Sequence, residues 1–128
     1  MHRSRLAGFI IDCQTSDVET AAKFWSEALG MKMEYDPPAH GANYAPLTEP
    51  TGFMHIEVQS VEHPSRVHLD IEADDVEAEV QRLEKLGARR IKQIRTWWVM
   101  EAPTGQRFCV VRAQSPQFQQ LANTWKDD

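Results

Sequence analysis

Apolar and polar residues alternate with two different periods along this chain, and the switches between the periods come in the same order twice. Residues 7–13 are a mostly apolar run broken by Asp12 and predict a strand. Val18, Ala21, Ala22, Trp25 and Leu29 then recur at helical spacing, which predicts a helix packing through Phe24 and Trp25 as well. Ser16 or Asp17 supplies its N-cap, Glu19 adds negative charge where the helix dipole favours it, and Gly30 ends it. Residues 31–35 predict a second strand, 36–43 a loop rich in Pro and Gly, and 44–48 a short strand. Residues 53–59 alternate cleanly, with Met54, Ile56 and Val58 on one face and Phe53, His55, Glu57 and Gln59 on the other.

After a linker at 61–65 the sequence of periods restarts. Residues 66–72 set Val67, Leu69 and Ile71 against His68, Asp70 and Glu72, and Val76, Val80, Leu83 and Leu86 predict a helix over about 75–86. Strands are expected over 88–94, 96–100 and 107–112. The polar tail from 114 carries Phe118, Leu121, Ala122 and Trp125 at a spacing that suits one or two amphipathic turns docked on the body. The order βαβββ–βαβββ is an α+β pattern. Its two copies align residue by residue, Ile10-Ile11-Asp12 with His68-Leu69-Asp70 and Asp17-Val18-Glu19 with Asp75-Val76-Glu77. A half-chain duplication of this kind predicts a single pseudosymmetric domain over 1–128, with units at about 6–60 and 65–113 and a tail at 114–128.

Composition narrows the class. The 128 residues suit one domain with a sizeable core. Fourteen basic against nineteen acidic residues give a net charge of -5, which argues against nucleic acid or an anionic membrane as partner. No apolar run approaches a membrane span and no signal-peptide core opens the chain, so a cytoplasmic protein is expected. Cys13 and Cys109 lie in apolar surroundings without metal-type spacing and read as free thiols.

The paired βαβββ pattern, the run Asp17, Ala21, Phe24, Trp25, Leu29, Gly30, and Ala102-Pro103-Thr104-Gly105 before Phe108 together resemble the vicinal-oxygen-chelate superfamily. That group includes glyoxalase I, bleomycin-resistance proteins and extradiol dioxygenases. The phrases Ser65 to Ile71 and Met100 to Cys109 resemble its glyoxalase-like domain branch, found in many bacterial chains. The resemblance implies an eight-stranded cup of two βαβββ units with helices outside, a ligand cavity within, and a homodimer. In metal-dependent members it also implies one ligand on the first and last strand of each unit.

Carried over, the first-strand position falls on His68 in the second copy and on Ile10 in the first, and isoleucine cannot bind a metal. The last strand of the first unit offers His55, Glu57 or Gln59. That of the second puts Cys109 where metal-binding members usually carry Glu. His68, Glu57 and Cys109 reach the three ligands a catalytic site needs, but a thiolate does not suit hard-oxygen chelation. The resemblance therefore implies a bleomycin-resistance-like protein that binds a small organic ligand without a complete catalytic metal site. The alternative is a metal-dependent lyase, isomerase or dioxygenase using His68 and Glu57 with zinc, nickel, manganese or iron; a third reading is an interaction or stress module without turnover. Glyoxalase I activity itself is not expected. The ligand-binding candidates are Tyr44, His55, Glu57, His68, Trp97, Trp98 and Cys109. The aromatic pair would place one ring in the cup and one outside it. Asp12 and Asp70, equivalent in the two copies, read either as polar pairing partners or, with Glu57, as candidate catalytic bases.

Overall fold

The computed structural model describes residues 1–126, so the last two residues of the expected tail lie outside it. The chain is mixed α+β, and its contacts divide it into two compact units. One is Gly8–His68; the other joins Met1–Ala7 to the chain from Leu69 onward. Strand β1 (His2–Gln14) contributes to both. Each unit contains the βαβββ succession predicted from the alternation.

In Gly8–His68 that succession is β1, α1 (Val18–Leu29), β2 (Lys32–Met33), β3 (Tyr44–Thr48) and β4 (His55–Val61). Asp17 begins α1, its carboxylate accepting the Thr20 N–H at 3.1 Å, and Gly30 ends it in the left-handed region at φ 68°. The buried side of α1, Val18 and Ala22, packs on Ile11, Ala45, Leu47, Ile56 and Val58, with Trp25 against the same cluster. Each large aliphatic side chain buried there contributes about 1.5–3 kcal/mol. Phe24 departs from the expected packing. It is 62% exposed and meets Trp25 edge-on at 5.0 Å, because its position on α1 falls outside the buried stripe.

The strands run in the order β2-β3-β4-β1, with β1 parallel to β4 and the other neighbours antiparallel. Gly8 lies opposite His55, and a Cβ there would come within 1.8 Å of the His55 carbonyl oxygen; only glycine lets the two backbones approach so closely. The second strand is two residues long rather than five. The expected loop contains one helical turn, α2 (Pro37–His40), opened by two prolines whose fixed φ suits a first turn.

In the other unit the succession is β5 (Arg66–Ala73) from Leu69 onward, α3 (Val76–Lys85), β6 (Arg89–Ile94), β7 (Trp97–Glu101) and β8 (Arg107–Arg112). Its strands run β5-β8-β7-β6, with β5 parallel to β8. Asp75 caps α3 through the Ala78 N–H at 3.0 Å. Val80 and Leu83 of α3 pack on Ala73, Met100, Phe108 and Val110, joined by Ile71 and Trp98. Leu69 shares that face of β5 yet is 49% exposed.

The tail forms α4 (Phe118–Leu121) and β9 (Asn123–Trp125). Phe118 is buried, and β9 pairs antiparallel with the start of β1, His2 opposite Trp125 and Ser4 opposite Asn123. The first strand therefore begins five residues before the apolar run that predicts it. Glu79 of α3 is fully buried at the centre of this corner. It accepts from Ser4 Oγ at 2.8 Å and from Arg82 Nε and Nη2 at 2.8 Å each, and meets His2 Nε2 at 2.7 Å. The Trp125 indole N–H donates to Ser4 Oγ at 2.8 Å. No helix among the described residues is long and apolar enough to cross a membrane.

Candidate ligand and metal site

Strand alternation sorts the expected site residues onto the sheet faces turned away from α1 and α3. In Gly8–His68 that face carries Ile10 and Asp12 of β1, His55, Glu57 and Gln59 of β4, and Tyr44 and Pro46 of β3. The register sets Ile10 beside Glu57 and Asp12 beside Gln59, with Pro46 across from Glu57 and Tyr44 across from Gln59. Gln59 Nε2 donates to Tyr44 Oη at 3.1 Å, and His55 Nε2 lies 3.0 Å from Glu57 Oε2. Ile10 is buried at 4% exposure, an apolar floor in the midst of these polar groups.

Asp12 organises the rest. It is 2% exposed, and its Oδ2 lies 2.7 Å from His68 Nδ1, 3.6 Å from Arg66 Nε and 3.9 Å from His63 Nε2. Three groups able to carry positive charge thus converge on one carboxylate oxygen. Oδ1, also buried, has no hydrogen-bond partner among the described residues. A carboxylate on Nδ1 selects the tautomer with the proton there and fixes the ring, so any ligand, proton or metal that His68 takes is met at Nε2. The alternation alone gave no sign of Arg66 and His63 as partners. The signal that could have found the close approach at Gly8 is its isolation within a strand pattern.

In the other unit, Asp70 and Cys109 face each other in the β5–β8 register, with a carboxylate oxygen and Sγ within 4.8 Å. His68 precedes Asp70 by two residues on β5 and so shares its strand face. Cys109 is buried; both cysteines are free thiols. Trp97 and Trp98 part as alternation requires. Trp98 joins the core under α3 with the Arg90 guanidinium 4.9 Å above its ring, which leaves Trp97 on the opposite face. At the far end of that face, Glu101 bridges Arg89 at 2.7 Å and Arg107 at 3.2 Å, and these arginines hold its carboxyl below the usual carboxylate range.

The donor chemistry tests whether a divalent metal suits these residues. Ile10 offers no donor atom, and Cys109 offers a sulfur. A hard ion that chelates two substrate oxygens favours carboxylate and imidazole, whereas a thiolate selects zinc or another soft ion. The His, Asp and Cys side chains are therefore of metal-binding type, but they do not fit hard-oxygen chelation chemistry.

Residues 8–111 match the family model of the glyoxalase-like domain, and the chain belongs to that family. No curated protein matches the sequence. Among solved structures the fold resembles a hypothetical protein of Bacillus halodurans C-125, at 16% identity and TM-score 0.62, over 88% of this chain and 96% of that one. It also resembles a Legionella pneumophila protein described as NAD-dependent benzaldehyde dehydrogenase, at 10% identity and TM-score 0.61, over 83% and 99%. A third likeness is methylmalonyl-CoA epimerase of Mycobacterium tuberculosis, at 16% identity and TM-score 0.58, over 85% and 89%. At such identities the likeness is one of fold.

Proposed function

We propose that this chain binds a small organic ligand on the face of the Gly8–His68 sheet turned away from α1, without a complete catalytic metal site. The observation that carries this reading is the placement of Ile10, apolar and buried beside Glu57, where the resemblance would put a metal ligand. An apolar floor of Ile10 and Pro46 ringed by Glu57, Gln59, Tyr44 and the Asp12-oriented His68 has the make-up of a small-molecule site. Glu57 and Gln59 supply acceptors and donors that fix orientation; His68 Nε2 supplies one contact of fixed direction.

A second reading has one observation in its favour. Metal-binding histidines commonly hold a carboxylate on their other ring nitrogen, as His68 holds Asp12. In that reading His68 and Glu57 hold a divalent ion, which supplies Lewis-acid chemistry when bound.

The experiment combines metal analysis with a thermal-shift screen. Purified protein is assayed for bound zinc, nickel, manganese and iron, then screened against small organic acids, ketones and aromatic compounds, beside His68→Ala. Compounds that raise Tm in the parent and not in the variant, without stoichiometric metal, support the binder. Stoichiometric metal lost in His68→Ala overturns it in favour of the second reading.

A further inference from the structure

Away from those faces, the outer side of α3 has an opening of its own. Ala78, Gln81, Arg82 and Lys85 recur along that side at helical spacing, with Leu86 at its end, and Trp125 and Lys126 of the docked tail complete the lining. They line an open cavity of about 290 Å³. An engineered cavity of about 150 Å³ accommodates benzene, so this one has room for a fused bicyclic ring.

Its electrostatics run against those of the chain. The net charge of the protein is -5, yet among the described residues no acidic side chain lines the cavity and three cations do. Arg82 is already neutralised, holding both oxygens of Glu79 while its guanidinium lies 3.8 Å from the Trp125 ring centre. Lys85 and Lys126 make no ion pair among the described residues. Trp125 is held from both sides, by Arg82 over its face and by the bond from its N–H to Ser4, and so presents a preorganised aromatic wall. Leu86, 65% exposed, adds apolar surface beside the two lysines.

We propose that this cavity is a second binding site, for a small aromatic monocarboxylate, with the carboxylate between Lys85 and Lys126 and the ring against Trp125 and Leu86. Apolar surface with two cations that have no ion-pair partner among the described residues selects an amphipathic anion over both a neutral aromatic and a simple inorganic ion.

The test uses the whole chain with 2-naphthoate as the probe and its neutral amide, 2-naphthamide, as the control. Binding is followed by calorimetry and by the Trp125 indole N–H resonance, assigned through its loss in Trp125→Phe. The expected result is one-to-one binding that moves the Trp125 resonance and weakens about fivefold in Lys85→Gln/Lys126→Gln, two exposed charges contributing about 0.5 kcal/mol each. The amide binds correspondingly less well, and His68→Ala binds naphthoate as the parent does. An unmoved Trp125 resonance at about 5 mM naphthoate, about five times a dissociation constant of 1 mM, overturns the proposal. So does amide binding as tight as that of the acid, or unchanged affinity in the double lysine variant.

Discussion

Replacing Glu79 by Gln isolates the contribution of the buried polar corner where α3, the start of β1 and the tail meet. The change preserves side-chain volume, removes the charge and turns one acceptor oxygen into a donor that faces other donors. Glu79 meets Ser4, His2 and two nitrogens of Arg82 at 2.7–2.8 Å, and is itself fully buried. Removing one member of a buried ion pair costs about 3–5 kcal/mol. The Arg82 side chain is 24% exposed and recovers some hydration, so the expected loss is about 2–3 kcal/mol. For a chain of this length that corresponds to a Tm lower by about 10 °C.

The pH dependence provides a separate check. Burial pushes the Glu79 carboxyl up, but the bonds from Arg82, His2 and Ser4 outweigh burial and hold it below the ordinary carboxylate value. A depressed folded-state pKa means that the stability Glu79 confers is complete above the unfolded value of about 4.3 and is lost as pH falls through the folded value. Urea unfolding followed by Trp fluorescence, from pH 7 down to pH 3, should show the gap between parent and Glu79→Gln widest at neutral pH and narrowing in acid. A gap below about 0.5 kcal/mol at pH 7, the range of ordinary surface changes, refutes the ion-pair argument. So does a gap that stays constant across the pH range.

Gly8→Ala drives a methyl group into the His55 carbonyl and forces β1 from β4; urea unfolding should report a loss of about 3 kcal/mol, near the upper end for overpacking, because the obstacle is backbone. Asp12→Asn preserves size but loses the charge that orients His68, so the thermal shift given by a His68-dependent ligand should vanish, with a stability loss of about 1–3 kcal/mol. Burial pushes the Cys13 thiol up, so iodoacetamide at pH 8 should alkylate it more slowly than free cysteine and speed up once urea exposes it.

Both long helices and most strands were legible because their signals are local. Asp17 and Asp75 cap the helices, Gly30 closes the first, and His55 to Gln59 alternates without interruption. What was not legible depends on distant partners. His2 to Leu6 lies before the apolar run that predicts the first strand; it becomes strand through contacts with β9 and α3, which lie far along the chain. Nothing near Glu79 in sequence announces His2 or Ser4, so its burial was not legible for the same reason. At the site, alternation assigned faces but not reach. It put Asp12 and His68 on polar faces without showing that they touch, and it divided Trp97 from Trp98 without saying which joins the core. The substitution of Ile10 for a ligand-type residue was visible at once, because the duplication supplies its own reference copy in His68.

The division of β1 between two units has a consequence for synthesis. Its later half, Gly8 to Gln14, pairs with β4 by Val61, so the Gly8–His68 unit has its whole complement of strands once His68 has left the ribosome. The first residues have no such early partner. Ser4 bonds Glu79 across 75 positions and Trp125 across 121. At usual elongation rates roughly 6–24 s separate the synthesis of Ser4 from that of its last partner, Trp125. His2, Arg3 and Arg5 keep that waiting segment polar and positively charged, which suits a strand whose partners, from Glu72 to Trp125, are all made later.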